Sequence, residues 1–371
     1  MAAVFAITRV QCTRAKRLAP PETRRCVLNR GWDGAGRSVR AVGGGGKQQR
    51  ARTDKKRAFF LCTVCGFAYI KRIAVTPLAS FSSIKQSSPV SMVDIAEYAE
   101  WRGNDSSIIH IPYEYKSELW IERQLWDPVV VHSLFNTYWF WSVYLAIGYV
   151  IAVFALERWM QPRKPYDLTA VLAIWNGGLA LFSIVATWRF GEEFVYVLLH
   201  RPFRHSVCYS VDPNGPAAFW ACCFALSKVA ELGDTVFLVL RKRPLIFLHW
   251  YHHAVVLVYS WNSACELTAA GRWFIFMNYF VHSIMYSYYA IASLGYRFPK
   301  PISASVTTLQ LAQMIIGVGI SIYVLREKLA NTMCQQSMDN LFLCFGIYAS
   351  FALLFLKFFL NAYVFKKRKT D

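Results

Sequence analysis

From residue 92 onward, apolar runs of helical length recur between short polar breaks, whereas the first 91 residues sustain no such pattern. Seven runs can be read, over residues 137–156, 169–188, 217–240, 244–261, 273–294, 303–325 and 340–364. Each approaches the roughly 20 residues that cross a hydrocarbon core as an α-helix. The first two and last two are the clearest. The third carries Lys228, Glu231 and Asp234 and the fourth carries three histidines, so hydropathy alone scores both poorly. The pattern predicts an all-α polytopic membrane protein with seven transmembrane helices.

Composition agrees with this reading. The chain is 55% hydrophobic and only 17% charged, against about a quarter charged in soluble domains. The formal net charge of +19 would suggest a nucleic-acid partner, but +15 of it belongs to the first 91 residues, which hold 18 Lys and Arg against 3 acids. No nucleic-acid partner is expected for the body. The basic, Gly-rich segment 1–91, with its run of four glycines at 43–46, is expected to be disordered, because it lacks the apolar surface that offsets ordering entropy. A transit peptide, an anionic-lipid or nucleic-acid contact, and a natural start at Met92 are the alternatives for it. Its lone CxxC, Cys62 and Cys65, has no second pair and predicts no zinc site.

Short-loop charge sets the orientation. Arg158, Arg163 and Lys164 follow the first run, Arg241, Lys242 and Arg243 the third, Arg297 and Lys300 the fifth, and Lys366, Lys367, Arg368 and Lys369 the last. With seven spans, all of these fall on one side, which the positive-inside rule makes cytosolic. Arg201, Arg204 and Arg326 lie in the opposing loops. The chain then divides into the basic extension 1–91, a luminal segment 92–136, a membrane domain 137–364 and a cytosolic tail 365–371. Lys367 and Lys369 have the spacing of a dilysine retrieval signal for the endoplasmic reticulum. Asn104-Asp-Ser106 is a glycosylation acceptor on the luminal side. Cys208 and Cys334 fall in luminal loops where a disulfide could persist. Cys222, Cys223, Cys265 and Cys344 read as packing residues.

Ionisable groups in a bilayer cost at least ~2.5–3.5 kcal/mol each on the insertion scale, so clusters of them need a reason. Lys228, Glu231, Asp234 and Thr235 lie within roughly a third of a helix circumference, and His249, His252 and His253 within about 100° of one another. Asn278, His282, Tyr286 and Tyr289 make a third stripe, and Thr307, Gln310 and Gln313 a weaker fourth. A polar chamber enclosed by the third to sixth spans accounts for all four. Interhelical hydrogen bonding is the bland alternative, strongest for the Thr and Gln stripe.

Two chemistries suit three histidines in five residues. A His-box di-iron desaturase or hydroxylase needs about eight ligands. The chain has eight histidines, and His110, His132, His200 and His205 lie outside the chamber. The metal-free alternative uses neutral imidazole as nucleophile and base, with Glu231 or Asp234 orienting a ring. A seven-span transporter could also use buried charges, whereas a receptor would not need them.

The same residues resemble the very-long-chain fatty acid elongases. Lys228-Val-Ala-Glu-Leu-Gly-Asp-Thr235 is similar to their KxxExxDT motif, His249-Trp-Tyr-His-His253 to their HxxHH box, Asn278–Tyr289 to NxxxHxxMYxYY, and Thr307–Gln313 to TxxQxxQ. The resemblance implies seven helices, six forming a barrel around an acyl tunnel closed at the lumen. It implies condensation of acyl-CoA with malonyl-CoA to a 3-oxoacyl-CoA, CoA and CO2, with no metal and no redox cofactor. It makes His252 the acyl-accepting nucleophile and has His282 assist at the reacting thioester. His249, His253, Asp234 and Glu231 tune the rings, while Lys228, Thr235, Asn278, Tyr286, Tyr289, Gln310 and Gln313 line the substrate site. Arg241, Lys242, Arg243 and Lys300 meet the CoA phosphates at the rim. It pairs Cys208 with Cys334. Pro244, where relatives that elongate polyunsaturated chains tend to carry Gln, implies a saturated or monounsaturated acyl-CoA. The implied partners are a ketoreductase, a dehydratase and an enoyl reductase in the endoplasmic-reticulum membrane, with room for a homo-oligomer.

Overall fold

The structure, a computed structural model, describes residues 98–102 and 107–365. The basic extension, the CxxC pair, Asn104 and the dilysine tail therefore lie outside the described residues. A short antiparallel hairpin opens the described chain, with β1 (Ala99–Arg102) paired to β2 (Ser107–His110) and Trp101 opposite Ile108. Two short helices follow, α1 (Trp120–Leu125) and α2 (Pro128–Tyr138). Asp127 caps α2 by accepting from the Val129 and Val130 amides, with Pro128 at its first position, where a missing N–H costs nothing.

The long helices come next: α3 (Trp141–Met160), α4 (Thr169–His200), a short α5 (Phe203–Cys208), α6 (Pro216–Ala230), α7 (Leu232–Leu240), α8 (Phe247–Cys265), α9 (Gly271–Ser293), α10 (Lys300–Leu329) and α11 (Met338–Phe359), which runs on into a π-helical turn, Leu360–Val364. Among the described residues, α3, α4, α10 and α11 with its extension are long and apolar enough to cross a membrane. The protein is a multi-pass, all-α membrane protein.

Helix boundaries depart from the hydropathy reading where polar residues intervene. The second run extends twelve residues beyond 188 to His200, because Arg189 and Glu193 are buried and paired rather than exposed. The third run is not one helix. It breaks at Glu231 into α6 and α7, and the Asp234 amide reaches the Glu231 carbonyl in a tightened turn. Gly233 sits in that turn with Trp175 of α4 against it, and a Cβ there would meet the indole at 2.8 Å. Glycine is the residue that allows this approach. Gly317 does the same between α10 and α11, where a Cβ would lie 2.2 Å from the Tyr348 ring.

The core has two main parts. One gathers Tyr259, Phe274, Met277, Met314, Ile320, Tyr348 and Phe351 from α8 to α11, and the other Phe190, Phe219, Trp220 and Tyr279 from α4, α6 and α9. Cys208 and Cys334 are joined by a disulfide that ties the end of α5 to the loop before α11. Two buried arginines complete this end of the molecule. Arg189 donates to Glu122 at 2.7 Å, and Arg272 donates to both oxygens of Glu193 and to the carbonyls of His205, Ser206, Tyr209 and Ser210. The donors of Arg272 are spent on tying α9 to α4 through Glu193 and to the α5 loop through its carbonyls.

Candidate active site

The break at Glu231 aims its carboxylate inward. Glu231 accepts from Lys228 Nζ at 2.6 Å and from Ser227 Oγ at 3.1 Å. Lys228 also donates to Asn278 Oδ1 at 2.9 Å, which leaves the Asn278 amide nitrogen facing His282 Nε2 at 3.2 Å. An amide NH2 only donates, so His282 Nε2 accepts and a neutral ring carries its proton on Nδ1. That atom lies 3.7 Å from Glu231 Oε1. The third and fifth runs are thus linked through a closed loop of Lys228, Glu231, Asn278 and His282, all of them buried. A lysine, a glutamate and two polar neutral groups satisfy one another there, as an apolar surrounding requires.

Asp234 belongs to a second group. Its Oδ1 accepts from Trp175 Nε1 and its Oδ2 from Tyr286 OH, both at 2.7 Å. Thr235 is fully buried and shares a 2.6 Å hydrogen bond with Tyr149 of α3. The polar centre is therefore wider than the third to sixth spans, because α3 and α4 each contribute a side chain. Trp175 and Tyr149 were invisible to motif reading: each stands alone in an apolar run and looks like packing.

The histidine cluster lies beside these groups on α8. The His249 and His253 rings are 4.7 Å apart, and His252 and His253 5.4 Å apart. His249 Nε2 is buried and has no hydrogen-bond partner among the described residues. His252 makes no hydrogen bond among the described residues. Its ring rests 4.8 Å from Phe351 and 6.2 Å from Phe355 of α11. Among the described residues no three His, Cys, Asp or Glu side chains form a group that could hold a metal ion.

His252, Asn278 and Gln313 stand on the wall of an elongated cavity. The α8 wall advances from His252 through Val256, Tyr259, Ser260 and Ser263 to Ala264, one helical face, and Leu267 follows in the turn beyond the helix. Phe274, Met314, Ile347, Tyr348 and Phe351 make its sides. Such a lining suits a hydrocarbon chain and offers it few polar partners.

The remaining stripe residues lie further from this centre. Gln310 contacts Met285 Sδ at 3.0 Å, and Thr307 bonds to the Ser303 carbonyl and to Tyr363 OH. Tyr289 is 43% exposed and stacks edge-on with Tyr288, so it does not join Tyr286 at Asp234. Arg241 is half-buried, while Lys242, Arg243 and Lys300 are exposed. Lys242 closes the turn after α7, donating to the Gln161 carbonyl at 2.8 Å.

The GNS1/SUR4 (ELO) family model matches residues 134–371. The chain belongs to this family of elongases. It is 49% identical over 248 residues to putative fatty acid elongase 4 of Caenorhabditis elegans, covering 67% of this chain and 85% of the relative. It is 40% identical over 233 residues to very long chain fatty acid elongase 6 of Homo sapiens, covering 62% of this chain and 88% of the relative. The Drosophila melanogaster protein of the same name is 45% identical over 230 residues, 61% of this chain and 73% of that one.

Within the elongase, the four polar stripes meet different fates. The KxxExxDT residues divide between two networks on either side of the Glu231 break. Among the described residues, the histidine box supplies the one imidazole on the cavity wall that makes no hydrogen bond, since His132 is held by the Cys265 carbonyl. The fifth-run stripe bridges both networks through Asn278 and Tyr286. Of the body cysteines, Cys344 is buried, whereas Cys222 is half-buried and lines the cavity.

Proposed function

We propose that the elongase condenses a long-chain saturated or monounsaturated acyl-CoA with malonyl-CoA, using His252 as the acyl acceptor. The observation that carries this reading is the position of His252. It is uncommitted to any hydrogen bond among the described residues and stands where a hydrocarbon-lined cavity meets the Lys228–Glu231–Asn278–His282 network.

The chemistry divides into two acyl transfers. A neutral His252 nitrogen attacks the thioester carbonyl, the C–S bond breaks, and CoA leaves as thiol with the imidazole proton. The acyl-imidazole stays activated because its leaving group is a neutral or weakly basic ring. Malonyl-CoA then loses CO2, and the resulting α-carbanion attacks the acyl carbonyl. A carbon–carbon bond forms, the C–N bond breaks, and the departing ring nitrogen takes up a proton from water, which releases 3-oxoacyl-CoA and restores neutral His252. His282, positioned by Asn278 and Glu231, meets the negative charge that develops on the thioester enolate. Asp234 holds Tyr286 and the α4 wall in register with the reacting end, and His249 and His253 crowd His252 into its rotamer. Lys228 acts through the network, and Gln313 faces the chain near its head. No metal or redox cofactor enters the scheme.

On this reading six of the seven long helical segments surround the acyl chain. Arg241, Lys242, Arg243 and Lys300 form a basic rim for the CoA phosphates. The C-terminus faces the cytosol at the endoplasmic reticulum, the segment before α3 faces the lumen, and the product passes to a ketoreductase, a dehydratase and an enoyl reductase.

The test is to incubate purified protein with acyl-CoA alone and digest it for mass spectrometry. An acyl adduct on the His252 peptide, discharged by malonyl-CoA, is the expected result. An unmodified peptide, with CoA nevertheless released on adding malonyl-CoA, would contradict the covalent route.

A further inference from the structure

The cavity ends on side chains that no transmembrane motif predicts. Trp101, Trp126 and His132 line it at the level of Ser210, Leu267, Thr268 and Arg272, the end remote from His252. All three precede residue 134, where the match to the family model begins. The floor of the cavity is thus supplied by the segment ahead of α3, outside the region the family model describes.

That floor is firmly held. Trp101 sits on β1, and β2 continues into the α5 loop through a bridge between His110 and Ser210, with the Ser210 amide donating to the Ile109 carbonyl at 2.9 Å. The same loop carries Cys208 of the disulfide and the carbonyls bound by Arg272. The Trp101 ring stands edge-on to His132 at 5.8 Å. His132 is in turn fixed by its Nε2 at 3.0 Å from the Cys265 carbonyl, the last residue of α8. The hairpin backbone is therefore tied to the α5 loop, and the Trp101 indole packs edge-on against a histidine that is itself held by the Cys265 carbonyl.

We propose that Trp101, braced by His132, sets the longest acyl chain that this elongase extends. The inference rests on the condensation reading above. From His252 to Ala264, the last residue of α8 on the cavity wall, the helix advances about 18 Å at 1.5 Å per residue, room for roughly 14 extended carbons at about 1.3 Å each, and the turn that carries Leu267 adds to this before the floor. A chain longer than this meets the indole with its methyl end, and a shorter one leaves apolar wall uncovered, which lowers its transition-state binding.

The experiment measures 3-oxo product from a ladder of even-numbered saturated acyl-CoAs with labelled malonyl-CoA, using full-length protein in detergent. Wild type is compared with Trp101→Ala and with Ala264→Phe, which places a ring one turn nearer His252. The expected outcome is that Trp101→Ala moves the longest accepted substrate up by at least one two-carbon step, while Ala264→Phe moves it down by two or more carbons. A wild-type enzyme that is active with the same cutoff as Trp101→Ala overturns the inference and leaves the condensation reading intact. A wild-type enzyme inactive with every chain length overturns that reading instead. Should Trp101→Ala fail to fold, Ala264→Phe decides the matter, since an unchanged cutoff there shows that the chain does not run along this wall.

Discussion

At the scale of single residues, the site is organised by hydrogen-bond commitments rather than by proximity. Lys228, Glu231, Asn278 and His282 satisfy one another, and Asp234 is satisfied by Trp175 and Tyr286. Trp175 is a positioning residue, since its indole N–H holds Asp234 and its face packs on Gly233. Trp175→Phe removes the donor to Asp234 together with the outer indole ring that lies against Gly233. The expected outcome is a kcat about tenfold lower, or roughly 1.4 kcal/mol, with KM little changed, read from initial rates over a substrate series. An unchanged kcat with a lowered Tm would mean that the contact is only structural. Motif reading found Lys228, Glu231, Asp234, His282 and Asn278, because charged and amide groups are conspicuous in apolar runs. It missed Trp175 and Tyr149 because an aromatic side chain in such a run has the same composition whether it donates a hydrogen bond or merely packs. It also grouped Tyr289 with Tyr286. Helical spacing places both tyrosines near one face, but it does not tell which of them meets a carboxylate.

At the scale of elements, the helices were legible where apolar length is unbroken and illegible where buried pairs replace it. The first, second, sixth and seventh runs became α3, α4, α10 and α11 with shifted ends, and the third split at Glu231 because its ion pair turns inward there. The hairpin β1–β2 and helix α1 had no apolar signal, and it is the Glu122 side chain that makes α1 matter. Burial pushes the Glu122 carboxyl up, but hydrogen bonds from Arg189, Trp220 and the Leu119 amide outweigh this and hold it below its ordinary value of 4.5. A folded value depressed in this way adds stability above pH 4.5 that is lost as the pH falls through the folded value. Glu122→Gln is therefore expected to lower Tm at neutral pH, and the gap to wild type should narrow steadily as the pH drops below 4.5. A gap independent of pH, followed by thermal unfolding in detergent, would show that Glu122 contributes shape rather than charge.

At the scale of the whole molecule, the parts combine into a cavity with a polar head and a built floor. The head comes from α6 to α10, which carry the motifs. The sides come from α8 to α11, and the far end from the segment before α3. The disulfide, the Arg272 hub and the Arg189–Glu122 pair all stand at that far end, so the greatest density of fixed contacts surrounds the part of the molecule that an acyl chain would reach last. Lys242, Arg243 and Lys300, by contrast, are exposed, as the entrance proposed above needs to be. The central claim is that this arrangement forms a carbon–carbon bond through His252. Its most direct test is condensation of palmitoyl-CoA with labelled malonyl-CoA by purified full-length protein, wild type beside His252→Ala, with CO2 and 3-oxo product both counted. Equal amounts of CO2 and 3-oxoacyl-CoA from wild type, with both lost in the folded variant, is the predicted result. Product formation by His252→Ala at the wild-type rate would contradict it.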